Sequence, residues 1–77
     1  MKQATLDDLN RYVEHRVPTG GFLTAVLENN LLEAVGRAGH DNIRDLVEIV
    51  SHVYNNMPSS CWGSPAKVKA WLEGPAS

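Results

Sequence analysis

The chain has a single cysteine among its 77 residues, so no disulfide can form within it. A lone cysteine is typical of proteins that work in a reducing compartment. The sequence also lacks any apolar run close to the ~20 residues that span a bilayer, and the first residues, 1–3, lead into no signal-peptide core. These absences predict a cytoplasmic protein with neither a disulfide framework nor a membrane anchor.

Basic residues are scarce as well. Seven lysines and arginines stand against nine aspartates and glutamates, which leaves a net charge of −2 when the histidines are neutral. Proteins that bind nucleic acid without sequence preference need clustered lysine and arginine to displace counterions. The chain has no such cluster, so we do not expect nucleic acid to be its partner.

Strand signals are missing too, since no alternating apolar run is flanked by hairpin turns. Hydrophobic residues make up 43% of the chain and charged residues 21%, as in a compact folded domain. Chains of this length form one domain. The sequence therefore predicts an all-α fold: a compact single domain of four to five short helices over residues 1–77, with an ordered core at about 5–73.

Two helices are predicted in the first third of the chain. Thr5 is the expected N-cap of a helix over roughly residues 6–16, and Pro18 prevents this helix from continuing. Thr19 is the expected N-cap of a second helix. The second helix should end near residues 28–29, because asparagine tolerates the left-handed conformation that terminates helices.

Three further helices follow. Asn30 should cap the third helix, which stops at Gly39. Asp41 or Asn42 should cap the fourth, which Pro58 ends. Ser64 followed by Pro65 begins the last helix, which Gly74 and Pro75 stop. The apolar face of the fourth helix is predicted to comprise Ile43, Leu46, Val47, Val50, Val53, Tyr54 and Met57.

The predicted core is drawn from the apolar positions of all five helices, together with the tryptophan of the last turn. Burying side chains of this kind stabilises a fold by about 1.5–3 kcal/mol each, and most of this is offset by lost chain entropy. The core is expected to contain Leu9, Val13, Phe22, Val26, Leu27, Leu31, Val35, Leu46, Val50, Val53, Trp62, Val68, Trp71 and Leu72.

Residues that could carry catalysis or bind a metal are few. The three histidines and Cys61 do not match the short ligand spacings of zinc sites. Cys61 with His52 as its base could form a nucleophilic dyad, but an isolated cysteine beside a tryptophan is more often a small buried apolar residue. We therefore expect no catalytic residues, no metal and no cofactor, and a small hydrolase is only a third hypothesis.

The turn at Thr19, Gly20 and Gly21 is the most suggestive local feature. Two glycines at the start of a helix expose backbone N–H groups that could hold an anion, with Arg16 adding charge and Trp62 offering a stacking surface. These five residues are the candidate binding site for an anionic small ligand. The simpler interpretation is a sharp turn that lets two helices pack closely, and the sequence favours it.

Two stretches, residues 17–31 and 54–65, resemble a family of small proteins encoded by tailed phages and prophages. They carry the motifs PTGGFL and CWGSP, and the resemblance extends from about Leu9 to Leu72. Proteins of this kind often act by binding, as anti-CRISPR and other anti-defence proteins or as modifiers of host enzymes. The resemblance implies no particular functional residue.

The leading hypothesis is therefore a non-enzymatic phage or prophage accessory protein. It would act by protein–protein contact on a host or defence protein in the cytoplasm of the bacterial host. The alternative is a small-ligand binder, a sponge for a nucleotide or other anionic signal. The apolar positions exceed what one short helical array can easily hide, which favours a symmetric homodimer over a monomer.

Overall fold

The computed structural model describes residues 1–74, with only the backbone described at residues 41 and 42. Within these residues the chain forms five α-helices and one 3-10 turn and no strand, which confirms the all-α prediction. The elements in chain order are α1 (Gln3–His15), α2 (Gly21–Leu27), α3 (Leu31–Arg37), α4 (His40–Asn56), the 3-10 turn (Ser59–Cys61) and α5 (Pro65–Glu73).

Several predicted helix ends are confirmed by their hydrogen bonds. The Asn30 side chain accepts a hydrogen bond from the backbone N–H of Glu33 at 3.3 Å, so it caps α3. The Ser64 hydroxyl accepts one from the N–H of Lys67 at 3.2 Å and caps α5. Asn29 ends α2 with φ at 61°, in the left-handed conformation that asparagine tolerates.

The predicted N-caps of the first two helices are wrong. The first helix begins at Gln3, with Lys2 as its N-cap, so Thr5 lies inside it. Its first turn is held because the amino group of Met1 pairs with Glu48 of α4 and the Met1 side chain packs on the core. The N-cap of α2 is Gly20 rather than its neighbour Thr19.

The junction between α3 and α4 is tighter than predicted. Helix α3 ends at Arg37, and Gly39 is the N-cap of α4 rather than the stop of α3. Asp41 and Asn42 therefore lie inside α4 and not at its cap, and their side chains lie outside the described residues. The predicted stop at Pro75 is also outside them, whereas Gly74 does end α5 with φ at 86°.

The core lies where α1, α2, α4, α5 and the 3-10 turn meet. Its most deeply buried large side chains are Leu9, Tyr12, Leu27, Ile49 and Cys61, none more than 1% exposed. Several predicted core residues, among them Val13, Trp62 and Trp71, are only partly buried around this centre. The remaining buried members of the cluster are Leu23, Val53, Met57 and Val68.

Three predicted core residues are wrong. Leu31 is 65% exposed, and Val35 and Val50 are each 45% exposed. The core instead uses Tyr12 and Ile49, which the sequence prediction left out. Helices α3 and α4 carry apolar residues on more than one side, and helical periodicity alone does not say which side faces inward.

Tyr12 joins α1 to the C-terminal third of the chain. Its hydroxyl donates a hydrogen bond to the backbone carbonyl of Cys61 at 2.7 Å. The indole N–H of Trp71 donates to the Tyr12 carbonyl at 2.8 Å, and the two rings lie 6.4 Å apart between centroids. A further link comes from the N–H of Gly63, which donates to the Leu27 carbonyl at 2.7 Å. These bonds position the 3-10 turn and α5 against the first two helices.

Candidate functional site

The five residues of the predicted binding site do not lie together. Arg16 is at the end of α1, in the left-handed conformation with φ at 57°. Its guanidinium lies 3.8 Å from the centre of the Trp71 ring and donates a hydrogen bond to the Trp71 carbonyl at 2.8 Å. Arg16 therefore holds α5 against α1 through a cation–π contact and a charge-assisted hydrogen bond.

The Thr19–Gly21 turn borders an open, polar cavity of about 320 Å³ between α2 and α3. The hydroxyl groups of Thr19 and Thr24 lie 3.0 Å apart and close the turn. The cavity is also lined by Glu28, Glu33 and Arg37, and the Arg37 guanidinium donates a hydrogen bond to the Glu33 carboxylate at 2.9 Å. Two carboxylates against one already paired guanidinium make this lining a poor match for an anionic ligand.

Gly21 is next to that guanidinium. A Cβ added at Gly21 would lie 3.0 Å from Nη1 of Arg37, the movable end of a long side chain, whereas a Cβ at Gly20 would meet open space. Neither glycine has a positive φ. The structure therefore requires glycine at neither position for backbone conformation, and the sharp turn can form with other residues.

We expect Gly21→Ala to leave the free energy of unfolding within about 1 kcal/mol of the wild-type value, because Arg37 can move aside and alanine favours helix over glycine. Urea denaturation followed by circular dichroism measures this. Gly20→Ala is the matched control at a position with open space. A loss of several kcal/mol in Gly21→Ala alone would show that Arg37 cannot move and that the glycine is required for packing.

Trp62 belongs to a second feature, which is apolar. It is half-buried, its indole N–H donates to the Met57 carbonyl at 3.2 Å, and its ring lies 5.8 Å from that of Tyr54. It borders an open apolar cavity of about 260 Å³ between α2, α3 and α4. The other lining residues are Ala25, Val26, Asn29, Asn30, Leu31, Ala34, Leu46, Val50, Val53 and Tyr54.

Helices α3 and α4, which contribute to the walls of this cavity, expose a set of large apolar side chains that we call the α3–α4 apolar face. Leu32 is 85% exposed and Val47 is 78% exposed. In a monomer, both side chains would remain in contact with water. Small soluble domains rarely expose so many large apolar residues together without a binding role. The face comprises Leu31, Leu32, Val35, Ile43, Val47, Val50 and Tyr54.

Three of these seven residues, Leu31, Val35 and Val50, were predicted to lie in the core. The signal that could have separated them was present in α4, where Ile43, Val47, Val50 and Tyr54 follow one helical row and Ile49 and Val53 follow another. The predicted apolar face of this helix joins the first row to Val53 and omits Ile49. Two distinct apolar rows on one helix indicate that the helix packs against two partners. In the folded monomer, only one of the two rows of α4 is packed against the core.

Cys61 is buried, and its surroundings do not favour a nucleophile. Its thiol donates to the Pro58 carbonyl at 3.0 Å, and burial raises its pKa, so the reactive thiolate is disfavoured. The ring nitrogen Nδ1 of His52 is instead 3.4 Å from the Asn56 amide. Among the described side chains, no group of three histidine, cysteine, aspartate or glutamate residues is arranged to hold a metal ion.

Comparison with protein-family models, with curated proteins and with solved structures gives no match for this chain. Within the residues described, none of the helices has the length and apolar character needed to cross a bilayer. The α3–α4 apolar face is therefore the candidate functional site on physical grounds.

Proposed function

We propose that this protein is a non-enzymatic accessory protein that acts by binding another protein through the α3–α4 apolar face. The observation that carries the proposal is the exposure of large apolar side chains on two neighbouring helices, above all Leu32 and Val47. Protein interfaces bury such residues at their centre and keep charged residues at the rim. The open cavity beside Trp62 could receive an anchoring side chain from the partner.

The nature of the partner is part of the same proposal. The PTGGFL and CWGSP segments resemble those of small phage and prophage proteins, which supports a bacterial host protein, such as a defence component, met in the host cytoplasm. The nucleotide-sponge alternative has less support. In that alternative, Arg16 supplies the positive charge and Trp62 the stacking surface. Both residues lie outside the cavity lined by Thr19 and Gly21.

The proposal predicts that Val47→Glu will abolish capture of the partner from bacterial lysate. Val47 is 78% exposed, so the change should leave the fold intact while placing a charge at the centre of an apolar contact. Capture by tagged protein, quantified by mass spectrometry, should fall at least about 30-fold, which corresponds to the 2 kcal/mol of an interface hot spot.

Val17→Glu is the matched control, because Val17 is also exposed but lies between α1 and α2, outside the face. Circular dichroism verifies that both variants fold. A partner that binds wild type and Val17→Glu but not Val47→Glu supports the proposal. Equal capture by all three proteins, or no partner for the wild type, contradicts it.

A further inference from the structure

We infer that a second copy of this chain covers the α3–α4 apolar face, with the two α4 helices packed antiparallel about a two-fold axis. The inference rests on the proposed function in one respect, that this face binds protein. It goes further in naming an occupant. A host partner would then reach the face only by displacing the second copy.

The exposed row of α4 has the spacing of a coiled-coil seam. Ile43, Val47, Val50 and Tyr54 are separated by four, three and four residues, the alternation of heptad positions d and a. They are between 44% and 78% exposed. The core uses a different side of the same helix, where Ile49 is fully buried. A seam of this spacing packs best against another helix, and none of this chain's described helices covers it.

The seam is also self-complementary, because its intervals read the same in both directions. In antiparallel pairing, Val47 of one copy lies opposite Val50 of the other, and Ile43 lies opposite Tyr54. Every residue of the seam therefore meets an apolar partner. Pairing of this kind is isologous and closes after two copies, as in most homodimers.

The cavity beside Trp62 lies at one half of the seam. Val50 and Tyr54, in the C-terminal half, border this cavity, whereas Ile43 and Val47 do not. Antiparallel pairing therefore places the N-terminal half of each seam beside the cavity of the other copy. The two-fold axis makes the two contacts equivalent.

The area of the face is sufficient for a dimer. With exposures between 44% and 85%, its seven side chains present on the order of 700 Å² at the size of large apolar residues, and each partner of a specific interface contributes roughly 600–1,000 Å². None of the seven is charged. Beside the seam, the pairing brings Arg44 near Ser51 of the other copy, so the two Arg44 side chains do not face each other. The opposed helix dipoles also favour the antiparallel orientation.

Sedimentation equilibrium over a wide concentration series tests the association. We expect a monomer–dimer equilibrium for the wild type and for Val17→Glu. Val47→Glu should raise the dimer dissociation constant at least about 30-fold, since the two-fold places the new charge in the seam twice. A wild type that stays monomeric at every concentration overturns the inference, and so does a Val47→Glu protein that dimerises as well as Val17→Glu.

Cysteine cross-linking tests the orientation. An equimolar mixture of Ile43→Cys and Tyr54→Cys, treated with a short bis-maleimide, should form a covalent dimer, whereas either variant alone should not. In the antiparallel pair, like positions at the ends of the seam are roughly 16 Å apart, at 1.5 Å of rise per residue. Wild type is the blank, because Cys61 is buried. Cross-linking of each single variant with itself would indicate parallel pairing and overturn the inference, as would the absence of product from the mixture.

These results are separable from failure of the proposed function. A chain that is monomeric but loses its captured partner in Val47→Glu refutes the second copy and leaves the proposed function standing. A dimer that captures no other protein supports the second copy and refutes a host partner.

Discussion

Replacing Tyr12 with alanine is expected to unfold the domain. The side chain is 1% exposed, its hydroxyl donates to the Cys61 carbonyl, and its ring contacts that of Trp71. Truncating a buried aromatic costs about 3–5 kcal/mol, which is as much as a core of this size is expected to supply. The buried carbonyl of Cys61 also loses its partner. Circular dichroism of Tyr12→Ala should therefore show loss of most of the helical signal.

Tyr54→Ala is the matched control, since it removes the same side chain from a position that is 71% exposed. Its cost should stay within about 1 kcal/mol, the scale of its contact with the Trp62 ring. Both proteins are compared at concentrations below self-association. If the two variants melt alike, the assigned role of Tyr12 as the link between α1 and the C-terminal third is wrong.

Tyr12→Phe isolates the contribution of the Tyr12 hydroxyl to the pH dependence of the free energy of unfolding. Burial raises the pKa of Tyr12 to about 12 from its ordinary value of 10. The folded state therefore favours the neutral phenol, and the resulting stabilisation is complete below about pH 10 and is lost as the pH rises through about 12. Urea midpoints of the wild type should fall over this interval, and Tyr12→Phe should remove that part of the decline.

The second large effect is expected at Leu27, which is fully buried at the end of α2. Leu27→Ala leaves a cavity in the middle of the core and should cost about 2–5 kcal/mol. Leu32→Ala makes the same chemical change at a position that is 85% exposed, and the cost there should be within about 0.5 kcal/mol. Equilibrium urea denaturation of dilute protein compares them.

A small loss in Leu27→Ala would mean that the neighbouring helices close over the cavity. A large loss in Leu32→Ala under dilute conditions would mean that Leu32 is buried within the monomer, which would remove it from the α3–α4 apolar face. Because both substitutions replace leucine with alanine in a seven-residue helix, differences in helix propensity nearly cancel.

The sequence predicted best where local chemistry decides the structure. Side-chain capping by Asn30 and Ser64, the left-handed Asn29 and the proline at the start of α5 depend on residues within one turn of each other. Such bonds form between near neighbours whatever the rest of the chain does. The start of α1 was predicted wrongly because it depends on Met1 pairing with Glu48, a contact between distant residues.

Membership of the core was harder to predict. Val50 and Ile49 are adjacent apolar residues of one helix, and their intrinsic propensities do not distinguish the buried one from the exposed one. Which one is buried depends on where α1 and α2 lie against α4. The same is true of the candidate site, because Arg16, Gly21 and Trp62 are placed in three different surroundings by contacts with Trp71, Arg37 and Tyr54.

The sequence by itself determined the class of the fold, most of the helices and the local chemistry of their caps, because these follow from periodicity and from bonds between near neighbours. Only the tertiary structure decided which apolar row of α4 is buried and which is exposed. Burial is a property of pairs of helices that meet across long stretches of chain, and a helix with two apolar rows can satisfy only one of them within a five-helix monomer. The row from Ile43 to Tyr54 is the one left exposed, and the α3–α4 apolar face exists for that reason.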